Sequence, residues 1–205
     1  MTPHDTVGCL ITFCGLDGCG KSTMIQMLTE ELKKEEIPFL VTKQPTEKLR
    51  KSPVFRAYQD NPDPSVYEYR SLALMAAADR IQHAKEVVLP ALREGMVVIS
   101  DRYFYSCLAN LRARGYTTDG WIYEIAANIP APDMPFFLDI SAQEAIRRVR
   151  ERPEEKERYI DIPLQYRLSR EYKAICGKTK GYLISSNRKA EETFSEIKKI
   201  VMNQL

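Results

Sequence analysis

Short apolar runs alternate along the chain with longer segments of helical periodicity. The run Met96–Ser100 is apolar on both faces, which is typical of a central strand in a parallel sheet. Four other short apolar or β-branched runs lie at Cys9–Cys14, Phe39–Thr42, Phe136–Ile140 and Tyr182–Ser185. Strands that alternate with helices in this way predict an α/β fold, a doubly wound five-stranded parallel sheet with helices on both faces.

Helical periodicity fills most of the segments between these runs. The first helix is predicted to end at Glu36, before Pro38. The segment Ser65–Leu89 contains no proline or glycine and predicts one long helix that ends at Pro90, with a short extension over Ala91–Glu94 before Gly95. The proline-rich segment Gln44–Asp63 is expected to be an irregular substrate loop. Further helices are predicted up to Arg114, over 120–129, from a capping box at Ser141 to Arg152, over 163–175 and over 189–202.

A phosphate-binding loop separates the first strand from the first helix. Gly15–Thr23 has the pattern G-x-x-x-x-G-K-[ST], whose glycines let backbone N–H groups converge on one point beside a helix N-terminus. Lys21 can reach the β- and γ-phosphates, and Ser22 can bind Mg²⁺. The sequence therefore predicts a site for Mg·ATP. The residues expected to contact ATP are Gly15, Asp17, Gly18, Cys19, Gly20, Lys21, Ser22, Thr23, Arg148 and Asn187.

Further candidates follow the third strand, because ligands in such sheets bind beyond the carboxyl ends of the strands. Asp101 is predicted to be a second ligand of Mg²⁺, and a simple helix cap is the alternative. Arg102, Arg80 and Arg50 are candidates for the fixed cations that a transfer between two phosphates requires. Each of them alone is also compatible with a solvated surface arginine.

A dense basic stretch lies between residues 147 and 158. Its functional interpretation is a mobile lid, residues 150–160, that closes over the transferring phosphoryl group. Its structural interpretation is a solvated helix with ion pairs four residues apart. Acidic residues are interleaved with the basic ones, which disfavours nucleic-acid binding. The candidate catalytic residues are Lys21, Arg102, Arg150, Arg152 and Arg158.

Composition narrows the class of protein. A chain of 205 residues with 44% hydrophobic residues fits a single domain, residues 1–205, with the lid inside it. A formal net charge of +2 predicts no general attraction to nucleic acid or to a membrane. The five cysteines do not resemble a disulfide framework, so we expect a cytoplasmic location. We find no signal peptide and no apolar run as long as a membrane span.

Four stretches together resemble the thymidylate kinase family of phosphate-loop kinases, over about residues 9–197. The first is the loop Gly15–Thr23, with its acidic Asp17. The others are Ala77–His83 followed by Pro90-Ala91-Leu92, Val98–Tyr103 followed by Ser106, and Pro130–Asp133 before Phe137–Ile140. The resemblance implies a phosphate-loop hydrolase-like fold, kinase activity on nucleoside monophosphates and a homodimer with long helices at its interface.

The resemblance also implies roles for individual residues. Asp17 resembles the carboxylate that contacts the 3′-hydroxyl of the acceptor sugar, and Arg80 resembles the residue that recognises the thymine edge. Arg102 and Arg50 resemble the groups that bind the acceptor phosphate. Tyr103 resembles a residue beside the sugar, and Tyr159 a lid tyrosine near the acceptor. Because Gly18 and Cys19 are not basic, the lid is expected to supply the catalytic charge.

The chain departs from the family pattern at the positions expected to stack on the base. Ala76 stands where a phenylalanine is typical, and Asn110 replaces a second aromatic residue. The Glu-Pro-Gly-Gly pattern is shortened to Gln44-Pro45-Thr46-Glu47. Stacking on an aromatic side chain stabilises a bound base by about 1–3 kcal/mol, so these departures predict weaker or broader base selection unless Tyr69, Tyr105 or Met75 fills the gap.

The sequence favours a kinase that transfers the γ-phosphoryl group of Mg·ATP to dTMP. One alternative is the same reaction with another acceptor, such as dUMP, a cytidine monophosphate or a modified nucleotide. A kinase of nucleosides or other small molecules is a second alternative, and a nucleotide-binding regulator without catalysis is a third. Against the regulator, the chain has no Asn-Lys-x-Asp motif for guanine.

Overall fold

The sheet of the protein contains five parallel strands, as the sequence predicts, and with the strands numbered along the chain their order in the sheet is β2-β3-β1-β4-β5. The computed structural model describes residues 1–61, 66–118 and 120–205, apart from the side chains of residues 59 and 60. The strands are β1 (Cys9–Cys14), β2 (Phe39–Lys43), β3 (Val97–Asp101), β4 (Met134–Asp139) and β5 (Tyr182–Ser185). The central strands are almost completely buried, which explains their unbroken apolar runs.

Ten α-helices connect and cover the strands within the described residues. They are α1 (Lys21–Lys34), α2 (Glu47–Arg50), α3 (Pro53–Asp60), α4 (Tyr69–His83), α5 (Leu89–Arg93), α6 (Phe104–Ala113), α7 (Trp121–Ala126), α8 (Ala142–Arg150), α9 (Ile162–Gly177) and α10 (Ala190–Met202). A π-helix covers Ala84–Val88, and a 3₁₀ turn covers Pro153–Glu155. In the same part of the chain, no helix is both long enough and apolar enough to cross a bilayer.

The register of the strands brings the candidate residues to one edge. Asp101 at the end of β3 lies beside Phe13 of β1 on one side and Lys43 of β2 on the other. The phosphate loop begins directly after β1, so it starts at the same level. The carboxyl ends of the central strands therefore hold the loop, Asp101 and the residues that follow it.

The prediction of an irregular segment over residues 44–63 is wrong for its described part, because α2 and α3 lie there. The Ser52 hydroxyl accepts a hydrogen bond from the backbone N–H of Phe55 at 3.3 Å and caps α3. Pro53 follows in the first turn, where its missing N–H costs nothing. Pro53 therefore starts a helix, whereas the sequence pattern predicts that the prolines of this segment lie in a loop. Residues 62 and 63 lie outside the described residues.

The long helix predicted over residues 65–89 is also different in two respects. It begins at Tyr69, capped by the Glu68 side chain, while Ser65 lies outside the described residues. It does not end at Pro90, since the π-helix leads into α5 and Pro90 occupies the first turn of α5. A π segment shifts the hydrogen-bond register, and the first turn of a helix tolerates a proline without an N–H. The helical run therefore continues to Arg93.

Candidate active site

The phosphate loop packs closely against β4 and α8. Gly15 and Gly18 have φ angles of 144° and 84°. A Cβ atom on Gly15 would lie 2.8 Å from the carbonyl oxygen of Leu138, and one on Gly18 would lie 2.3 Å from that of Ala145. Both contacts are with backbone atoms, so side chains at these two positions would push the loop away from its supports. The two glycines let the loop backbone lie directly on the core.

Lys21 is bound to the loop itself. Its ammonium group donates hydrogen bonds to the carbonyl oxygens of Gly15, at 3.1 Å, and Leu16, at 2.8 Å, and the residue is only 7% exposed. The side chains of Ser22 and Thr23 are exposed at the start of α1. The Cys19 side chain is completely buried, and its Sγ lies 3.6 Å from Nζ of Lys21.

Asp17 contacts two other candidate residues, Arg102 and Arg158. Its two carboxylate oxygens accept hydrogen bonds from different partners: Oδ1 from Nη2 of Arg102, and Oδ2 from Nη2 of Arg158 at 2.9 Å. Arg102 follows β3, and Arg158 belongs to the segment predicted to be a lid. The Arg102 guanidinium, with smaller contributions from Lys21 and Arg158, holds the pKa of Asp17 well below its usual range. Asp17 is therefore a stable anion between two cations.

Arg102 has an unusual backbone conformation. Its φ angle is 67°, in the left-handed region that favours glycine, and its N–H donates to the carbonyl oxygen of Phe13 at 2.9 Å. Its Nη1 lies 3.4 Å from both the carbonyl oxygen of Gly15 and the hydroxyl of Tyr172. Contacts on several sides hold the guanidinium beside the phosphate loop, at the cost of backbone strain.

This strain gives a prediction for stability. We expect Arg102→Gly to have a free energy of unfolding roughly 0.5–1 kcal/mol higher than Arg102→Ala, because glycine adopts a positive φ without steric conflict. Both variants lose the same side-chain contacts, so each is the matched control for the other. Urea unfolding measures the difference. Equal stability of the two variants would show that the strain is no larger than the extra conformational entropy that glycine loses on folding.

Asp101 offers a carboxylate oxygen that suits a cation. The residue is 8% exposed, and its Oδ2 lies 3.1 Å from Nζ of Lys43. Its Oδ1 is buried and accepts no hydrogen bond from the described residues. An unpaired buried oxygen is costly unless a cation or its bound water meets it. The residues present therefore fit Mg²⁺, and the exposed Ser22 hydroxyl at the start of α1 offers a further oxygen of the kind that Mg²⁺ prefers.

The three arginines of the segment that the sequence predicts to be a lid have different partners. Nη1 of Arg150 donates to the backbone carbonyl of Arg158 at 2.6 Å, so it stabilises the fold of the segment itself. Arg152 lies 3.3 Å from Oε1 of Glu155. Arg158 also bonds to Glu155, at 2.6 Å, and in the described structure it is the one of the three that reaches the phosphate loop. Tyr159 beside it is 64% exposed.

Arg148 connects α8 with the turn after β5. Its Nε donates to Glu144 at 2.8 Å, and its Nη2 donates to the carbonyl oxygen of Ser186 at 3.1 Å. Asn187 follows Ser186 and is exposed. The two residues assigned to ATP from these separate segments are therefore brought to neighbouring positions.

Arg50 and Arg80 each carry a buried N–H without a partner. Nε of both side chains is buried and makes no hydrogen bond to the described part of the chain. Arg80 is 3% exposed, and its Nη1 donates to the carbonyl oxygen of Ala76 at 2.8 Å. Asp79 holds the start of α2 against α4, because it accepts a hydrogen bond from the Thr46 N–H at 2.8 Å. Both arginines thus retain donor capacity.

Tyr103 lies in the core. Its side chain is completely buried, and its hydroxyl donates to the carbonyl oxygen of Pro130 at 2.8 Å. Burial raises the pKa of its hydroxyl well above the usual range. The hydroxyl therefore does not reach an open surface. Instead, its hydrogen bond to Pro130 anchors the segment that follows Arg102.

The surroundings of Asn110 contain residues that no motif identifies. Its Oδ1 accepts a hydrogen bond from Nη1 of Arg114 at 2.7 Å, and Nη2 of Arg114 donates to the Tyr58 hydroxyl at 2.9 Å. The Arg114 guanidinium also lies over the ring of Tyr69, 4.0 Å from its centre. Tyr58 comes from α3, which the sequence did not predict, so this polar and aromatic group could not be assembled from the sequence.

Comparisons of the sequence with known proteins identify the family of the chain. A family model described as thymidylate kinase matches residues 13–197. The chain is 39% identical over 145 residues to a probable thymidylate kinase of Pyrococcus horikoshii, covering 70% of each chain. It is 33% identical over 201 residues to that of Pyrococcus abyssi, covering 97% of this chain and 98% of the relative.

A probable thymidylate kinase of Thermococcus gammatolerans is 33% identical over 171 residues, with 81% of this chain and 82% of the relative covered. The family match includes the phosphate loop, Arg102 and the segment that carries Arg158. The resemblance found in the sequence is confirmed. The chain belongs to the thymidylate kinase family and is a kinase.

Proposed function

We propose that the protein transfers the γ-phosphoryl group of Mg·ATP to dTMP and so forms dTDP. The observation that carries this proposal is the meeting of Asp17, Arg102 and Arg158 beside the phosphate loop. Two phosphates repel each other, so transfer between them requires cations fixed at the point of contact. Two guanidinium groups from different segments satisfy that requirement here.

The phosphate loop and its neighbours hold the donor in this proposal. Lys21 exchanges the carbonyl oxygens of the loop for the β- and γ-phosphate oxygens, and Arg148 and Asn187 contact the nucleotide from the side of β5. Asp101 and Ser22 hold Mg²⁺, which supplies positive charge at the phosphate oxygens when it is bound. The unpaired Oδ1 of Asp101 supports this assignment.

The arginines and Asp17 hold the acceptor. Arg102 and Arg50 bind its phosphate and Arg80 binds the edge of its base, which gives partners to the buried N–H groups of Arg50 and Arg80. Asp17 accepts a hydrogen bond from the sugar hydroxyl. A sugar hydroxyl on Asp17 weakens its pairing with the arginines, and this frees Arg102 and Arg158 for the phosphates.

A panel of acceptors tests the proposal. Purified protein with ATP and Mg²⁺ is expected to phosphorylate dTMP, and the panel also contains dUMP, dCMP, CMP and thymidine. Lys21→Ala is the control for transfer that depends on the phosphate loop. ATP binding without transfer to any monophosphate would contradict the proposal and favour a regulator. Phosphorylation of thymidine would instead favour a nucleoside kinase.

A second candidate function is the same reaction with a different base. The observation that favours it is the polar pair Asn110–Arg114, which stands where the family pattern has an aromatic residue. A polar pair forms hydrogen bonds with a base, whereas an aromatic ring stacks on it. A clear preference for dTMP in the panel would end this alternative.

Three further expectations belong to the same proposal. We propose a single domain with residues 150–160 as its lid, a homodimer, and a cytoplasmic location, which the five free cysteines support. Sedimentation of the purified protein tests the dimer. Protease sensitivity of residues 150–160, with and without nucleotides, tests the lid.

A further inference from the structure

We propose that Tyr172 of α9 is a positioning residue whose hydroxyl fixes the guanidinium of Arg102 in the orientation that binds the acceptor phosphate. This inference rests on the proposed function, because it assigns a role within that reaction. Tyr172 belongs to none of the motifs in the sequence, and the fold brings it to Arg102 from a helix 70 residues further along the chain.

The hydroxyl of Tyr172 forms part of a short chain of hydrogen bonds. It accepts from Nη1 of Arg102 at 3.4 Å and donates to Oγ of Ser106 at 3.2 Å. Asp17 meets the other nitrogen, Nη2, and the carbonyl oxygen of Gly15 meets Nη1 from a second side. Acceptors from two separate segments, the phosphate loop and α9, therefore surround one guanidinium group and limit its rotation.

The protonation state of Tyr172 suits this role. The residue is 5% exposed, and burial raises the pKa of its hydroxyl to about 12. The hydroxyl therefore stays neutral at physiological pH, so it can accept from Arg102 and donate to Ser106 at the same time. A neutral acceptor orients the guanidinium without cancelling its charge, which remains available for a phosphate.

The position of Tyr172 also connects Arg102 to the predicted lid. Residues 150–160 lead directly into α9, which is capped by the Asp161 side chain at the backbone N–H of Leu164. Ser106, the other partner of Tyr172, lies on α6, which begins two residues after Arg102. The Tyr172 hydroxyl therefore connects α9, the helix that follows the predicted lid, to Arg102 and to α6.

The substitution Tyr172→Phe isolates this contribution, since it removes the hydroxyl and keeps the ring. With the best acceptor of the panel, expected to be dTMP, KM for the acceptor should rise about fivefold, as is reasonable for one long hydrogen bond to a charged group. KM for ATP should change less than about twofold. Tyr182→Phe is the matched control, because its hydroxyl bonds to Gln204 at the opposite edge of the sheet.

A double-mutant cycle separates positioning from packing. Isothermal calorimetry with dTMP measures binding in wild type, Tyr172→Phe, Arg102→Ala and the double variant, so inactive variants remain informative. If Tyr172 acts through Arg102, its substitution has no further effect in the Arg102→Ala background. Additive effects, equal changes in both KM values, or a Tyr172→Phe variant identical to Tyr182→Phe would overturn the inference. Absence of transfer in the wild type would instead overturn the proposed function.

Discussion

Replacing Lys21 with alanine is expected to lower kcat by about a hundredfold or more, because the reaction loses a preorganised charge at the γ-phosphate. The ammonium group is buried and held by the carbonyl oxygens of Gly15 and Leu16, so it is already beside the phosphate site before the nucleotide arrives. Steady-state kinetics with ATP and the best acceptor measures the effect.

Lys198→Ala is the control for the loss of a lysine. Its ammonium group, on α10, pairs with the buried Glu31 of α1 at 2.6 Å, and neither residue belongs to the phosphate loop. Turnover of the Lys21 variant close to that of wild type, with its fold intact by circular dichroism, would contradict the role of the loop in phosphoryl transfer.

The second large effect is expected for Arg158→Ala, which should lower kcat by about 10²- to 10³-fold, in the lower range of arginine residues that stabilise a transferring phosphoryl group. In the structure its guanidinium is bound to Asp17, a residue of the phosphate loop. It therefore has to move only within the site to reach the γ-phosphate, and the effect should fall on kcat more than on KM for ATP.

Arg147→Ala is the matched control, since Arg147 is exposed on α8 and pairs with Glu144. The losses of kcat in Arg150→Ala and Arg152→Ala show how much the other two candidate arginines contribute. We expect smaller losses for them, because their partners lie within the lid segment itself. A larger loss of kcat for Arg152→Ala than for Arg158→Ala would transfer the catalytic role to Arg152.

The strands could be predicted well because a buried parallel strand is an almost continuous apolar run. The bounds of β1 and β5 agree with the sequence prediction, and the other three strands differ by one or two residues. Prolines caused the errors. Pro53 and Pro90 lie in the first turns of helices, where a proline is tolerated. The position of Pro53 follows from the cap at Ser52, and that of Pro90 from the π-helix before α5.

The candidate site could be predicted where a local motif carries the chemistry. The pattern of the phosphate loop includes Lys21, but the ion pair between Asp17 and Arg158 joins residues 141 positions apart and depends on the folded lid segment. The burial of Tyr103 and the contact of Tyr172 with Arg102 arise from helix packing. Periodicity shows which residues of a helix are buried, and it does not show which neighbour each one meets.

The packing of Gly18 has a consequence for how the sequence can change over generations. A side chain at this position meets the carbonyl oxygen of Ala145 and a methyl group of Val149, both on α8, the helix that leads into residues 150–160. If an arginine of the proposed lid is the catalytic cation, one substitution at position 18 is not expected to move that charge to the loop. A basic side chain there requires α8 to shift first, so a variant with this change alone is expected to be weakened. Natural variation in this lineage is expected to keep glycine here for as long as the arginine remains in the lid.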